Sequence, residues 1–442
     1  MPYKGQESRV SARGRRSARR LAAIAVLGLA LPLGACNELL SVENPGAIQD
    51  GQLNDPILGK TIVQSVVSDF QRMYGDLAYY SAVITDEAVT GHNFETIKEM
   101  DLRIAKPNNN TLNSDIYTPL QRARFAGDSL SGRLRVIFGD TASSSLGLAR
   151  ALAYGAYSNM LLGEFMCEAP VDPASAPLGW DELMSRAIER YDEAIAIAGA
   201  YKAGGGDEAP ADSIIYLASV GAARASLNLG DFPGAIAYAS SVPADFQFQV
   251  PHSKEKSYLE NPFQAATTGN NRNLGVDSSF RFLNDLRVTH TATSRTGHNG
   301  LTLLWTPYQP PSFGEWEPGA EAPFLDTTPI RFSSGLEARY IVAEAQGAIL
   351  ETVDFINERR KVGDPAATDI TTADDVMAEL RDQRRRDFYL DGHRLGDLRR
   401  YIKLYSIDEF PSGPHPNVEW GNYGTLQCFP LPDNETIGNP NA

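Results

Sequence analysis

The sequence has 442 residues, of which 42% are hydrophobic and 21% charged, so it is long enough for a large core and is not disordered by composition. Its 55 acidic and 40 basic residues give a net charge of −15. The first 35 residues oppose this balance with a net charge of +6, which leaves −21 on the rest of the chain. A body this acidic repels phosphate backbones, which argues against nucleic-acid binding.

The N-terminus has the features of an export signal. A basic stretch precedes the apolar run Leu21–Leu33, whose 13 residues are too few for a transmembrane helix of about 20. The run ends in small residues before a cysteine, Leu33-Gly34-Ala35-Cys36, which is similar to a bacterial lipobox. We therefore predict a lipoprotein signal peptide over residues 1–35, lipidation of Cys36, and a polar tether over 36–55. An ordinary secretory signal followed by an incidental cysteine is the alternative.

Helical periodicity dominates the chain after the tether. It predicts helices over Ile57–Ala82 and Leu112–Ile137, separated by a loop-like polar stretch, Thr85–Asn110. Over about 141–242 and 335–405 the pattern becomes one of amphipathic helical pairs rich in small residues. The turn Leu162-Gly163-Glu164-Phe165 recurs 67 residues later as Leu229-Gly230-Asp231-Phe232, near twice the tetratricopeptide period of about 34. The sequence thus predicts a mostly α fold with a tetratricopeptide-like helical-repeat (α-solenoid) framework.

A long insertion, residues 243–334, interrupts the helical pairs of what we predict to be a single domain over 56–442. It is rich in Gly, Pro, Thr, Asn and aromatic residues, which predicts an ordered, loop-rich segment with short strands. Four of its rings alternate with prolines that stiffen the loop, and such rings can lie against the apolar face of a sugar. These ligand-binding candidates are Trp305, Tyr308, Phe313 and Trp316. The alternative is a small core of rings beneath the loop.

The segment Gln383–Arg400 combines dense charge with helical periodicity. Apolar residues at steps of four place Arg384 on the buried face of a helix, and a buried guanidinium requires carboxylate partners. We therefore predict a structural ion-pair network that locks a helical corner, and not an active site. In this network Arg384 would pair with Asp387 and Asp391, and Arg394 with Asp397.

The same segment resembles the E-R-R-x-E-L-x-x-E-G-x-R-x-x-D-L-x-R signature of the SusD/RagB family of outer-membrane lipoproteins. Gln383 stands in place of its first Glu, and Asp387 and Asp391 in place of longer acids. Arg339–Ala345 is similar to the family's R-Y-A-E-A helix, and Phe429–Pro440 to its F-P-I-P-x-x-E-x-x-x-N-P ending. Asn44-Pro45-Gly46 also fits the family pattern, so the resemblance covers the tether and roughly residues 335–442.

The resemblance implies a nutrient-binding lipoprotein, held at the outer membrane by its lipid and facing the exterior. It implies a tetratricopeptide-type framework with a loop-built surface that captures oligosaccharides, or sometimes peptides. The implied partner is a SusC-type TonB-dependent transporter, into which the ligand is delivered. No covalent chemistry and no cofactor are implied, so we expect the protein not to be an enzyme.

The sequence itself carries no catalytic or metal-binding motif that we can identify. It has no phosphate-binding glycine loop, no G-x-S-x-G, no H-E-x-x-H and no paired C-x-x-C, and its six histidines are scattered. Two alternative functions stay open: a tetratricopeptide-like envelope scaffold without a small ligand, and a surface glycoside hydrolase, which needs a pair of carboxylates. The aromatic insertion favours ligand binding over a scaffold.

Two cysteines, Cys167 and Cys428, are left once Cys36 is lipidated. Because an exported protein folds under oxidising conditions, we predict a disulfide between them that ties the C-terminal tail to the front of the solenoid. The alternative is two separately buried, reduced cysteines, since free cysteine is among the most buried residue types.

Overall fold

Thirteen α-helices and six short strands form the regular structure of the described residues, and the helices supply most of the hydrophobic core. The computed structural model describes residues 53–172, 174–268, 273–293, 296–300, 305–314 and 316–441. The predicted signal peptide, Cys36 and almost all of the tether lie outside these residues. Among the described helices, none has the length and apolar character needed to cross a membrane.

The chain begins with a long helix, α1 (Gly59–Ile84), which buries Phe70, Leu77 and Val83 in the main core. The stretch after α1, which we expected to be a loop, contains strand β1 (Ala88–Thr90) and helix α2 (Glu95–Asp101). Local sequence does not predict β1, because the strand it pairs with lies almost 190 residues further along the chain. A π-helical turn, Leu112–Tyr117, then leads into helix α3 (Thr118–Phe138).

Successive helices then pack side by side, as the predicted helical pairs require: α4 (Leu146–Phe165), α5 (Trp180–Ala203), α6 (Glu208–Leu229) and α7 (Phe232–Ala239). Small residues allow the close packing, since a Cβ atom on Gly127 of α3 would lie 2.3 Å from the Cα atom of Gly155 on α4. Asp231 caps α7 with its carboxylate, and Gly230, with φ of +82°, ends α6. The tetratricopeptide-like framework is confirmed.

The described residues of the insertion form short strands connected by loops, as predicted. Its elements are β2 (Gln247–Val250), α8 (Pro262–Thr267), β3 (Leu274–Val276), β4 (His290–Ala292), β5 (Trp305–Pro307) and β6 (Ile330–Ser334). The strands form three antiparallel pairs, β1–β3, β2–β6 and β4–β5. The β1–β3 pair joins the insertion to the segment that follows α1, and this junction positions the candidate site.

The C-terminal part returns to helices, with α9 (Gly335–Gln346), α10 (Leu350–Gly363), α11 (Val376–Asp387), α12 (Arg394–Tyr405) and the short α13 (Asp433–Gly438). Helix α9 packs on α7 and α6, which continues the solenoid. Between α11 and α12 the backbone takes left-handed conformations at Leu390 (φ +62°) and Gly392 (φ +91°), which produce the predicted corner. The short 3₁₀ helices are Pro56–Leu58, Gly139–Ser144, Ser257–Leu259, Pro311–Phe313 and Val418–Trp420.

Candidate ligand-binding site

The structure places the predicted ligand-binding rings in different environments. Trp305, on β5, is half-buried and packs edge-on against His290, with ring centres 5.1 Å apart. The exposed Phe282 lies on another side of Trp305 at 6.1 Å, also edge-on. Phe282, His290 and Trp305 form what we call the Trp305 platform. It borders a cavity of about 370 Å³ lined by Phe282, His290 and polar residues of the insertion.

The other three candidates do not join this platform. The half-buried Tyr308 donates a long hydrogen bond of 3.4 Å to Glu321 Oε2. Trp316 is 46% exposed, and its indole lies over Gly314. Phe313 is completely buried and packs edge-on against Phe324, so it belongs to the core beneath the loop and has no surface for a ligand. For Phe313 the alternative of a core beneath the loop is correct.

A second cavity, of about 330 Å³, lies where α1 meets the insertion, and we call it the α1 cavity. Its volume is at the lower end of the range of roughly 300–1,000 Å³ that small-molecule sites occupy. Helix α1, the loop after β1 and two segments of the insertion contribute to its wall. The lining residues are Asp76, Tyr79, Tyr80, His92, Ser257, Tyr258, Glu260, Asn261, Pro262, Ala265, Ala266 and Asn273.

Two aromatic groups mark the α1 cavity. Tyr258 is 54% exposed, and the guanidinium carbon of Arg72 lies 4.8 Å from the centre of its ring. In the loop after β1, His92 stacks on the exposed Phe94, with ring centres 5.4 Å apart and planes inclined by 20°. Exposed rings with fixed positions are suited to stacking against the C–H face of a sugar.

The cavity wall also holds polar atoms that lack partners among the described residues. Tyr79 is only 6% exposed, and its hydroxyl group is buried without a hydrogen bond. Oδ1 of Asn273 is also buried without a hydrogen bond. Two neighbouring polar groups of the wall do have hydrogen-bond partners. The Tyr80 hydroxyl donates to Asp115 at 2.8 Å, and the Asn261 amide donates to the Thr328 carbonyl at 2.8 Å. Buried polar atoms normally have partners, so unpaired ones in a cavity wall are candidates for ligand contact.

Burial changes the ionisation of two groups in this wall. Burial and the nearby Asp115 carboxylate raise the pKa of Asp76 to about 7, although Arg72 opposes the shift. Burial and the proximity of His298 lower the pKa of His92 to about 4, so its imidazole is neutral near pH 7. A neutral imidazole can both donate and accept a hydrogen bond, as sugar hydroxyl groups also do.

The loop that carries His92 is held by hydrogen bonds to the insertion and to α2. Gly91 N donates to the Asn273 carbonyl at 2.8 Å, and Asn299 Nδ2 donates to the Thr90 carbonyl at 2.9 Å. Thr90 N donates to the buried Asp101 carboxylate at 2.7 Å. These bonds position the two sides of the α1 cavity before any ligand arrives, which lowers the entropic cost of binding.

The predicted ion-pair network exists, but with different partners. Arg384 is 1% exposed, as its helical phase predicts, and its Nε donates to Asp397 at 2.7 Å rather than to Asp387 or Asp391. Arg394 pairs with Asp86, at 2.7 Å, rather than with Asp397. The expected local pairs are therefore wrong, because the corner folds back on α1 and α9 and more distant groups come closer.

Each carboxylate of the motif finds an arginine or histidine. Asp387 contacts Arg359 at 2.7 Å and Arg287 at 3.1 Å; although burial opposes ionisation, these two arginines hold its pKa at about 2. Asp391 accepts from Arg331 at 2.8 Å and from His393 at 2.7 Å.

Asp397 also contacts Arg400 at 2.9 Å, and Arg400 in turn forms a pair with Glu344 at 2.9 Å. The network joins α9, α11 and α12 with the segment that follows α1, which is the arrangement expected of the predicted structural role. Among the described residues, no group of three or more His, Cys, Asp or Glu side chains is arranged to hold a metal ion.

The disulfide between Cys167 and Cys428 is present in the structure, with Cα atoms 5.0 Å apart. Next to it, Met166 and Phe429 form a parallel bridge, and Cys167 N donates to the Phe429 carbonyl at 2.9 Å. The predicted attachment of the C-terminal tail to the end of α4 is confirmed.

Comparison with known proteins agrees with this architecture. Residues 337–438 match the SusD family model. A SusD superfamily protein from Bacteroides vulgatus superimposes with a TM-score of 0.64 at 15% identity over 87% of this chain and 97% of its own. Surface glycan-binding protein A from Bacteroides uniformis superimposes with a TM-score of 0.62 at 15% identity, over 87% of this chain and 98% of its own. NanU from B. fragilis superimposes with a TM-score of 0.63 at 12% identity, over 90% of this chain and 98% of its own. No curated protein matches the sequence. The resemblance to the SusD/RagB family is confirmed by the family model and by the fold.

Proposed function

We propose that this chain, which has the SusD fold and carries the family's C-terminal segment, is a surface glycan-binding lipoprotein. It captures oligosaccharides outside the cell and passes them to a SusC-type TonB-dependent transporter. The family match and the fold support glycan binding. The lipobox-like sequence before Cys36 supports the anchor and the location at the outer membrane. The transporter as partner rests on the family resemblance.

The observation that carries the binding function is the composition of the α1 cavity. The exposed ring of Tyr258 and the imidazole of His92, which stacks on Phe94, line this cavity together with unpaired polar atoms on Tyr79 and Asn273. A sugar has the complementary surface, because one face is apolar and its edge carries hydroxyl groups that donate and accept hydrogen bonds. The Trp305 platform, on the adjoining strand pair, adds a further stacking surface for a longer chain.

A glycoside hydrolase is the second candidate, and a single observation favours it. The carboxyl group of Asp76 keeps its proton up to about pH 7 beside the Asp115 carboxylate. Glycosidases use a carboxyl group with a raised pKa as general acid and a second carboxylate as nucleophile or base. A binding protein and a hydrolase differ in one readout, the appearance of shorter sugars.

The test is calorimetric titration of the protein with maltohexaose, cellohexaose and xylohexaose, followed by chromatography of each mixture. We expect at least one hexasaccharide to bind and to stay intact. Tyr258→Ala and Trp305→Ala should each lower its affinity by about two- to tenfold, since a ring contact contributes about 0.5–1.5 kcal/mol. Phe125→Ala is the matched control, because Phe125 is 56% exposed on α3, away from both cavities.

Unchanged affinity in both test variants would show that neither the α1 cavity nor the Trp305 platform belongs to the binding site. Release of shorter sugars would show a hydrolase. Failure of these three hexasaccharides and of the glucosamine hexamer to bind would contradict the proposal.

A further inference from the structure

We infer that the α1 cavity selects oligosaccharides that carry free amino groups, such as β-1,4-linked glucosamine chains, over neutral and acidic glycans. The inference rests on the proposed function and adds the chemical class of its ligand. It depends on the charge of the cavity wall and on which of its polar atoms are unpaired.

The charged groups that line the α1 cavity are acidic. Asp76 and Glu260 are both in its wall, and neither forms an ion pair with another described residue. No Lys or Arg is among the lining residues. Arg72 lies nearby over the Tyr258 ring, but outside the wall. A bound sugar with a carboxylate or sulfate would therefore meet the negative charge of Glu260 and of ionised Asp76, which Arg72 offsets only in part.

The polar atoms that the wall offers to a ligand are mainly hydrogen-bond acceptors. The unpaired Oδ1 of Asn273 accepts, and the unpaired Tyr79 hydroxyl can accept or donate. Glu260 and the charged form of Asp76 add carboxylate acceptors to the same wall. An ammonium group offers three N–H donors and no acceptor, so it matches this set more completely than a hydroxyl or an acetamido group. Hydrogen bonds between charged partners are also stronger than neutral ones.

The ionisation of Asp76 gives independent support. Burial and Asp115 disfavour its charged form and raise its pKa to about 7, although Arg72 opposes the shift. A cation placed against the carboxylate stabilises the charged form. The ammonium group of an amino sugar would supply that cation at a position where the protein supplies none from the cavity wall.

The test uses three hexasaccharides with the same β-1,4 backbone and different groups at C2: cellohexaose, chitohexaose and the glucosamine hexamer. In neutral buffer of low ionic strength, we expect the glucosamine hexamer to bind at least about tenfold more tightly than the other two. Hexagalacturonate, the acidic comparison, should not bind.

Asp76→Asn and Glu260→Gln should each lower the affinity for the glucosamine hexamer by about tenfold and lower the affinity for cellohexaose by a clearly smaller factor, since only the amino sugar brings a charge to these carboxyl groups. Asp354→Asn is the charge-matched control, because Asp354 is exposed on α10, away from the cavity. A thermal melt of each variant shows that it is folded.

Equal affinity for the glucosamine hexamer and cellohexaose would overturn the inference, and so would tight binding of hexagalacturonate. If maltohexaose or xylohexaose binds and the glucosamine hexamer does not, the inference fails while the proposed function stands. If none of these sugars binds, both fail.

Discussion

The C-terminal corner, residues 376–405, and the insertion, residues 243–334, use polar side chains in opposite ways. In the corner, each buried carboxylate of the motif lies against a positively charged side chain. At the cavity that the insertion shares with α1, carboxylates and an amide oxygen lack such partners. The corner also lies in the part of the chain that matches the SusD family model. The comparison indicates that the motif residues hold the fold together, whereas the cavity that we propose as the ligand site is lined by segments without a motif.

The largest effect that separates the two regions is expected from Arg384→Ala. It removes the buried partner of Asp397 and should destabilise the protein by about 3–5 kcal/mol. Urea unfolding gives the free energy, and titration with a hexasaccharide below the transition gives the affinity, which should not change. Arg135→Ala, which breaks the exposed pair with Glu193, serves as control and should cost less than about 1 kcal/mol.

The comparison would break if Arg384→Ala left the stability intact and abolished sugar binding. The network would then serve the site directly, and its burial would have another cause.

A second prediction divides the insertion itself. Phe313→Ala should lower the stability by about 3 kcal/mol, because the ring is completely buried against Phe324. Trp316→Ala, at an exposed ring of the same loop, should change the stability by about 0.5 kcal/mol or less. Thermal unfolding of both variants under the same conditions measures this difference, and equal destabilisation would show that the loop packs as one unit.

Helical periodicity predicted the solenoid and the burial of Arg384, because both depend on spacing within one helix. It did not predict the partners of Arg384 and Arg394. Several acidic residues lie within reach of each arginine along the sequence, and the tertiary packing determines which of them forms the ion pair. The α1 cavity was missed for a similar reason. Its residues come from segments about 180 residues apart, and the only local signal was the pair of tyrosines, Tyr79 and Tyr80, near the end of an apolar helix.

The smallest predicted effect concerns the pH dependence of stability. In the native state Asp76 holds its proton up to about pH 7, but in the unfolded chain it loses it near pH 4. Between these values the native state binds more protons, so the contribution of Asp76 to stability falls as the pH rises. Asp76→Asn should remove this loss, so the free energy of unfolding of the variant relative to the wild type should rise by about 2–3 kcal/mol between about pH 5 and about pH 8.

Urea unfolding of the wild type, Asp76→Asn and Asp354→Asn at both pH values measures this contribution. Parallel pH profiles for the wild type and Asp76→Asn would show that the Asp76 carboxyl group is not buried enough to retain its proton.

The attachment of the C-terminal tail sets the order in which the chain can finish folding. The disulfide joins residues 261 positions apart, and Arg394 and Leu390 bind Asp86 and Glu87 across more than 300 positions. Synthesis begins at the N-terminus, so Asp86 and Glu87 have to wait for these partners until nearly the whole chain has been made. Closure over such distances is entropically slow, so folding intermediates expose apolar surface for longer than in a helical bundle with local contacts. A chaperone that covers α1 before the C-terminal part of the chain is available would act on the segment that waits longest.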